Sequence, residues 1–252
     1  MINKTILKRY FMSNWRLLLI ITATLCLFLL MMTFAYNQMM ERLAENPTPA
    51  PTLDYTSFLA NSFIGGMYLL LPMVFIIVVC NKVIASQVDK GALAMTLATK
   101  TTRNEVTITN LLGIILSLLA MFLVVFGVGL LASLGLNEGE LIVLDFFKLL
   151  VGMLLLQLAL SGICFFASCL FNTSAKSLAL GAGLSIGFYV LNILSSIDQS
   201  VDFFKYFTIV TLYNPEDILA LSFIWEYLVL GFIAIAGYIG GVIVFKYKDL
   251  PL

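Results

Sequence analysis

Long apolar runs separated by short polar segments set the pattern of this chain. Apolar residues run almost unbroken over about residues 17–36, 63–84, 111–134, 146–170, 178–194 and 227–245. Each run has the roughly 17–25 residues that a straight or tilted helix uses to cross a bilayer core of about 30 Å. The pattern predicts an all-α polytopic membrane protein with six transmembrane helices.

The polar segments differ in kind. Residues 46–52 read NPTPAPT, an extended and turn-forming stretch. Residues 195–222 mix Asp198, Asp202, Glu216 and Asp217 with apolar stretches such as 207–212, and Asn214-Pro215 interrupts them. This segment is too broken to span and predicts short interfacial or re-entrant helices on one face of the membrane. At the N-terminus, Ile2, Ile6, Leu7, Tyr10 and Phe11 share one helical face, with Lys4, Lys8 and Arg9 away from its centre. Residues 1–15 therefore predict a basic amphipathic helix lying at the inner interface, before the chain turns upward at Trp15-Arg16. The run that follows is long for a secretion-signal core and lacks a small-x-small cleavage site, so it is expected to be a retained span.

Composition adds the solvent. Hydrophobic residues make up 61% of the chain and charged residues 11%, with a mean hydropathy of +1.04. A soluble domain carries about a quarter charged residues. The 252 residues hold six spans and leave no room for a large soluble domain, so residues 1–252 are expected to form a single transmembrane domain.

Net charge is zero and says little about partners; its distribution says more. With the N-terminus cytoplasmic and six alternating spans, the 14 basic residues split 11 inside to 3 outside. Only Arg42, Lys148 and Lys205 fall outside. The positive-inside rule demands such a bias, and one span more or fewer would scramble it. Both termini are thus expected to be cytoplasmic, in a multi-pass protein of a cell membrane, specifically a bacterial plasma membrane.

Several chemistries lack their residues. No stretch matches G-x-x-x-x-G-K-[ST], and there is no histidine. Cys26, Cys80, Cys164 and Cys169 lie inside apolar runs without metal-ligand spacing, which points to packing. No acid lies mid-span; Asp145, Glu226 and Asp249 sit at or beyond span ends, unlike the membrane-depth carboxylates of proton-driven pumps. The chain is not expected to be an enzyme, to hold a cofactor of its own, or to bind nucleic acid. Neutral polar residues do lie within spans: Gln157 and Ser161 in the fourth, and Ser185, Tyr189 and Asn192 along one face of the fifth. They either line a passage or hydrogen-bond between helices, and the second use is the commoner one in bilayers. Gly183/Gly187 and Gly237/Gly241 have the small-x-x-x-small spacing of close helix contacts, within the chain or between two copies.

One segment stands apart. Residues 86–105 place Asp89 and Lys90 before Gly91, then Leu93, Met95 and Leu97 among small residues, and close on Lys100-Thr101-Thr102-Arg103. Thr102 is placed to cap a helix starting near Arg103, with Glu105 at its third position. This stretch resembles the cytoplasmic connection of ABC-2 type transporter permeases. Gly91 and Leu93 match that family's Gly-x-Leu element, and Leu97, Thr99 and Arg103 match its second part, a Leu-rich turn followed by a "T-P-x-x-R" stretch, with Lys100 in place of the proline. The six-span layout and the ending KYKDLPL after Phe245 agree. The resemblance implies a homo- or heterodimer of permease subunits working with separate ATPase subunits, which bind the ATP and Mg. Asp89, Gly91, Leu93, Leu97, Thr99, Lys100 and Arg103 would then form a coupling helix seated in an ATPase groove, and the pair would export a peptide, drug or lipid-like substrate. The alternative is a non-transporting immunity or sensor protein that binds a membrane-active peptide on its acidic outer face.

Overall fold

A computed structural model describes residues 3–45, 54–93, 101–136, 141–197, 203, 205–220 and 224–249. Among them the chain is helical, without strands: α1 (Lys4–Glu45), α2 (Tyr55–Leu59), a π-helical stretch (Ala60–Met67), α3 (Tyr68–Val83), α4 (Ala85–Asp89), α5 (Arg103–Leu136), α6 (Val143–Leu170), α7 (Ser174–Ile197), a short 3₁₀ turn (Val210–Leu212), α8 (Pro215–Leu219) and α9 (Ile224–Tyr247). Six stretches are long and apolar enough to cross a bilayer: α1, the α2–α4 stretch, α5, α6, α7 and α9. Each expected apolar run falls inside one of them. Large apolar side chains such as Leu27, Leu123, Leu131 and Phe232 are exposed on the outside of the bundle, as lipid rather than water would require.

The expected turn at Trp15-Arg16 is absent. α1 runs as one helix of 42 residues, about 63 Å at 1.5 Å per residue, well beyond the roughly 40–45 Å of a whole bilayer. The amphipathic pattern at its start is real, but its partner is protein. Tyr10 begins a buried stripe that continues in helical register through Asn14, Ile21, Leu25, Leu29, Thr33 and Tyr36. The Tyr10 ring lies over Gly113 of α5, where any Cβ would come within 2.7 Å of it. Its hydroxyl pairs with Ser117 Oγ at 3.2 Å. Asn3 caps the helix, its Oδ1 accepting from the Thr5 and Ile6 N–H groups, while its own N–H reaches Thr109 Oγ1. Lys4, Lys8 and Arg9 stay exposed on the other face.

The second crossing is irregular, and α6 repairs it. Pro72 lacks an N–H, so the carbonyl of Tyr68, four residues earlier, loses its helical donor. Gln157 Nε2 of α6 donates to that carbonyl at 2.9 Å. Lower down, Ile84 leaves helical geometry at φ −128° and ψ −71°, separating α3 from α4. Ser168 of α6 brackets the break: its hydroxyl donates to Cys80 O at 2.7 Å and accepts from Ala85 N at 3.1 Å. Asn110 Nδ2 of α5 donates to Val83 O there as well.

These contacts make α6 the centre of the bundle, with 72% of its spanning window buried. It packs against α9 most extensively. A Cβ on Gly237 would come within 2.6 Å of the Gly162 backbone, so the two helices touch main chain to main chain. The α7 window is only 17% buried and the α1 window 22%.

Between α7 and α9, the described part of the interrupted segment forms short helices, as its sequence predicts. Asn214 caps α8 by accepting from Glu216 N, with Pro215 at the first helical position. Val210 and Ile218 are buried, and Thr208 Oγ1 donates to Phe188 O. Burial raises the phenol of Tyr213 well above its ordinary pKa, so it stays neutral.

Candidate functional site

The N-terminus, the α3–α4 break, the start of α5, the α6–α7 connection and the C-terminus meet at one end of the bundle. This end carries most of the basic residues, and it holds the 86–105 segment. Gly91 terminates α4 at φ +68°, a left-handed conformation that favours glycine, and its N–H donates to Val88 O at 3.0 Å. α5 opens with the expected reciprocal cap: Glu105 N donates to Thr102 Oγ1 at 3.3 Å, and Thr102 N donates to Glu105 Oε2 at 3.2 Å.

The segment is tied directly to two other elements, which are bonded in turn to α3 and α6. The Asp89 carboxylate accepts from Ser174 N at 3.2 Å, at the N-terminus of α7, where helix geometry favours an anion. Ser174 Oγ in turn accepts from Asn81 Nδ2 of α3. Arg103, at the start of α5, donates through its guanidinium to Lys248 O, just past α9, at 2.7 Å. Lys248 Nζ donates to Cys169 O at the end of α6. Partial burial lowers the pKa of the Lys248 ammonium below its ordinary value.

The residues expected to dock an ATPase therefore separate. Asp89 and Arg103 are used inside the chain, as fasteners to α7 and α9. Leu93 is 1% exposed and belongs to the chain's own core, so its side chain is not on the surface that a partner would meet. Gly91 itself is exposed. Leu97, Thr99 and Lys100 lie outside the described residues.

The polar residues within spans also divide. Gln157, Ser161 and Ser185 are 0% exposed. Gln157 bonds to Tyr68 O as above. Ser161 pairs with Tyr238 of α9, and its hydroxyl donates to Leu158 O. Ser185 Oγ donates to Gly181 O and lies 3.4 Å from Cys164 Sγ of α6. All three are buried and hydrogen-bonded within the bundle. Tyr189 and Asn192 of α7 are half-buried. Ser168, Asn81, Ser174 and Lys248 were not singled out from sequence. For Ser168 a signal exists: it follows Ser161 by seven residues and so lies on the same face of α6.

No protein-family model matches the chain, and no curated protein matches it. The arrangement itself is mechanical. Asp89 is bonded to the start of α7, and Arg103, at the start of α5, to the chain just past α9.

Proposed function

We propose that this chain is the transmembrane permease subunit of an ATP-driven transporter of the ABC-2 type, an exporter of a peptide, drug or lipid-like substrate. ATP and Mg are bound by a separate ATPase subunit that seats against the 86–105 segment at a cytoplasmic face, in a bacterial plasma membrane. One observation carries the reading: the segment that resembles the family's coupling element is joined, by Asp89–Ser174 and Arg103–Lys248, to the ends of helices remote in sequence. If ATP drives this chain, which lacks a phosphate-binding loop, the energy enters through a surface of this kind, and two bonds join this one to α7 and to the end of α9. Docking falls to residues 94–100, with Leu97 as the apolar contact, because Leu93 is committed to the core.

A second permease copy completes the transporter. Its place is α7, where Gly183 and Gly187 have nothing within 4 Å of an added Cβ and most of the helix is uncovered.

Purification from native membranes in mild detergent tests the proposal. It predicts that an ATPase subunit bearing G-x-x-x-x-G-K-[ST] stays bound in a one-to-one ratio. A chain that emerges free of any such subunit, yet binds a cationic membrane-active peptide, would instead be the immunity or sensor protein.

A further inference from the structure

At the basic end, α1, the α3–α4 break and the start of α5 enclose a cavity of about 230 Å³. Arg9 of α1, Lys82 of α3 and Lys90 at the end of α4 line it, together with Asn14, Ser86 and Asn110. Like charges gathered in this way repel unless an anion sits among them. Among the described residues no carboxylate faces them. Asp89 and Glu105, close by in sequence, do not line the cavity and are turned to Ser174 N and Thr102 N.

The donors are also incompletely used. Lys82 Nζ is held by Ser13 O at 2.8 Å and Asn14 Oδ1 at 2.9 Å. Both acceptors are neutral, and they leave one of its three N–H donors for a ligand. The pair anchors the ammonium at the cavity wall, so little ordering remains to be done on binding. The Arg9 guanidinium and the Lys90 ammonium have no hydrogen-bond partner among the described residues. A guanidinium fork, an anchored ammonium and a second ammonium on residues that line one cavity suit the oxygens of a phosphate group.

The surroundings indicate where that phosphate comes from. Arg9 and Ser13 also line a shallow groove that continues over Thr5, Lys8 and Met12. Met12, Trp15, Leu19 and Ile20 then expose an apolar face along α1, and the Arg16 guanidinium lies 5.7 Å from the Trp15 ring centre. Mixed tryptophan and arginine beside apolar surface mark headgroup depth.

We propose that this cavity binds the phosphate of an anionic membrane lipid, with the acyl chains lying along the outer face of α1. The bound headgroup clamps α1 to α4 and the 85–93 stretch. The site does not depend on the chain being a permease.

Native mass spectrometry of the full-length chain in neutral detergent tests the site, with phosphatidylglycerol, phosphatidylcholine and glycerol phosphate as separate probes. Phosphatidylglycerol should be retained in preference to phosphatidylcholine. The double variant Arg9→Gln/Lys90→Gln should weaken that retention by roughly 20- to 30-fold, at about fivefold per cation. Neither side chain makes a hydrogen bond or ion pair among the described residues, so the variant should melt at the wild-type temperature in neutral detergent. If it does not, Arg9→Lys/Lys90→Arg, which keeps both charges, should retain the preference. Equal binding of the two lipids, or a preference unchanged in the double variant, would overturn the proposal. Glycerol phosphate binding as tightly as the lipid would overturn the lipid assignment in favour of a soluble phosphate.

Discussion

α9 and α7 carry the same small-x-x-x-small spacing and use it in opposite ways. On α9, Gly237 meets the backbone of Gly162 and Gly241 lies under the Phe165 ring, so the spacing is filled within the chain. On α7, Gly183 and Gly187 face open space. Without a hydrophobic drive between helices in lipid, such contacts rest on close packing alone. A filled pair therefore holds the fold, and an open pair adds nothing to it within this chain. The contrast extends to the helices themselves, since α9 is bound firmly to the central α6 while α7 is the least covered crossing.

Substitutions sharpen that contrast in order of size. Gly237→Leu should be the most damaging. Its side chain would be driven into main chain that cannot yield, beyond the roughly 1–3 kcal/mol of ordinary overpacking. The protein should fail to fold, read as loss of the monodisperse peak in detergent. Gln157→Leu removes the donor to the Tyr68 carbonyl that Pro72 already deprives of its helical partner. Leaving that buried oxygen unsatisfied should cost about 1–3 kcal/mol, visible as a lower melting temperature. The companion Pro72→Ala, which restores an N–H to that carbonyl, should shrink the loss. Gly183→Leu should leave the melting temperature of the monomer unchanged, while weakening self-association measured by cross-linking in membranes. A fold lost on Gly183→Leu would break the contrast.

The positions of the crossings were legible because lipid imposes a length and polarity that a linear pattern displays directly. The Thr102–Glu105 cap was legible because its partners lie within three residues, whereas Asn214-Pro215, which reads as an interruption, also starts α8. The straight course of α1 was not. Its amphipathic face reads alike whether it meets a membrane surface or Gly113 and Ser117 of another helix. The break at Ile84 depends on Ser168, more than eighty residues away in sequence, and no local pattern announces it. The same holds for the candidate site. The Gly91 turn was not read from the pattern, and the burial of Leu93 and the Arg103–Lys248 bond follow from how distant helix ends assemble.

The central claim is that force enters through the 91–103 segment. ATP hydrolysis by the purified complex in lipid, compared between wild type and Leu97→Asp, tests it most directly. The account predicts a variant that folds and inserts normally but loses the ATPase subunit, or its coupled hydrolysis, by more than tenfold, on the order of 1.4 kcal/mol or more. Leu97→Asp with the partner retained and hydrolysis and transport unchanged would contradict it.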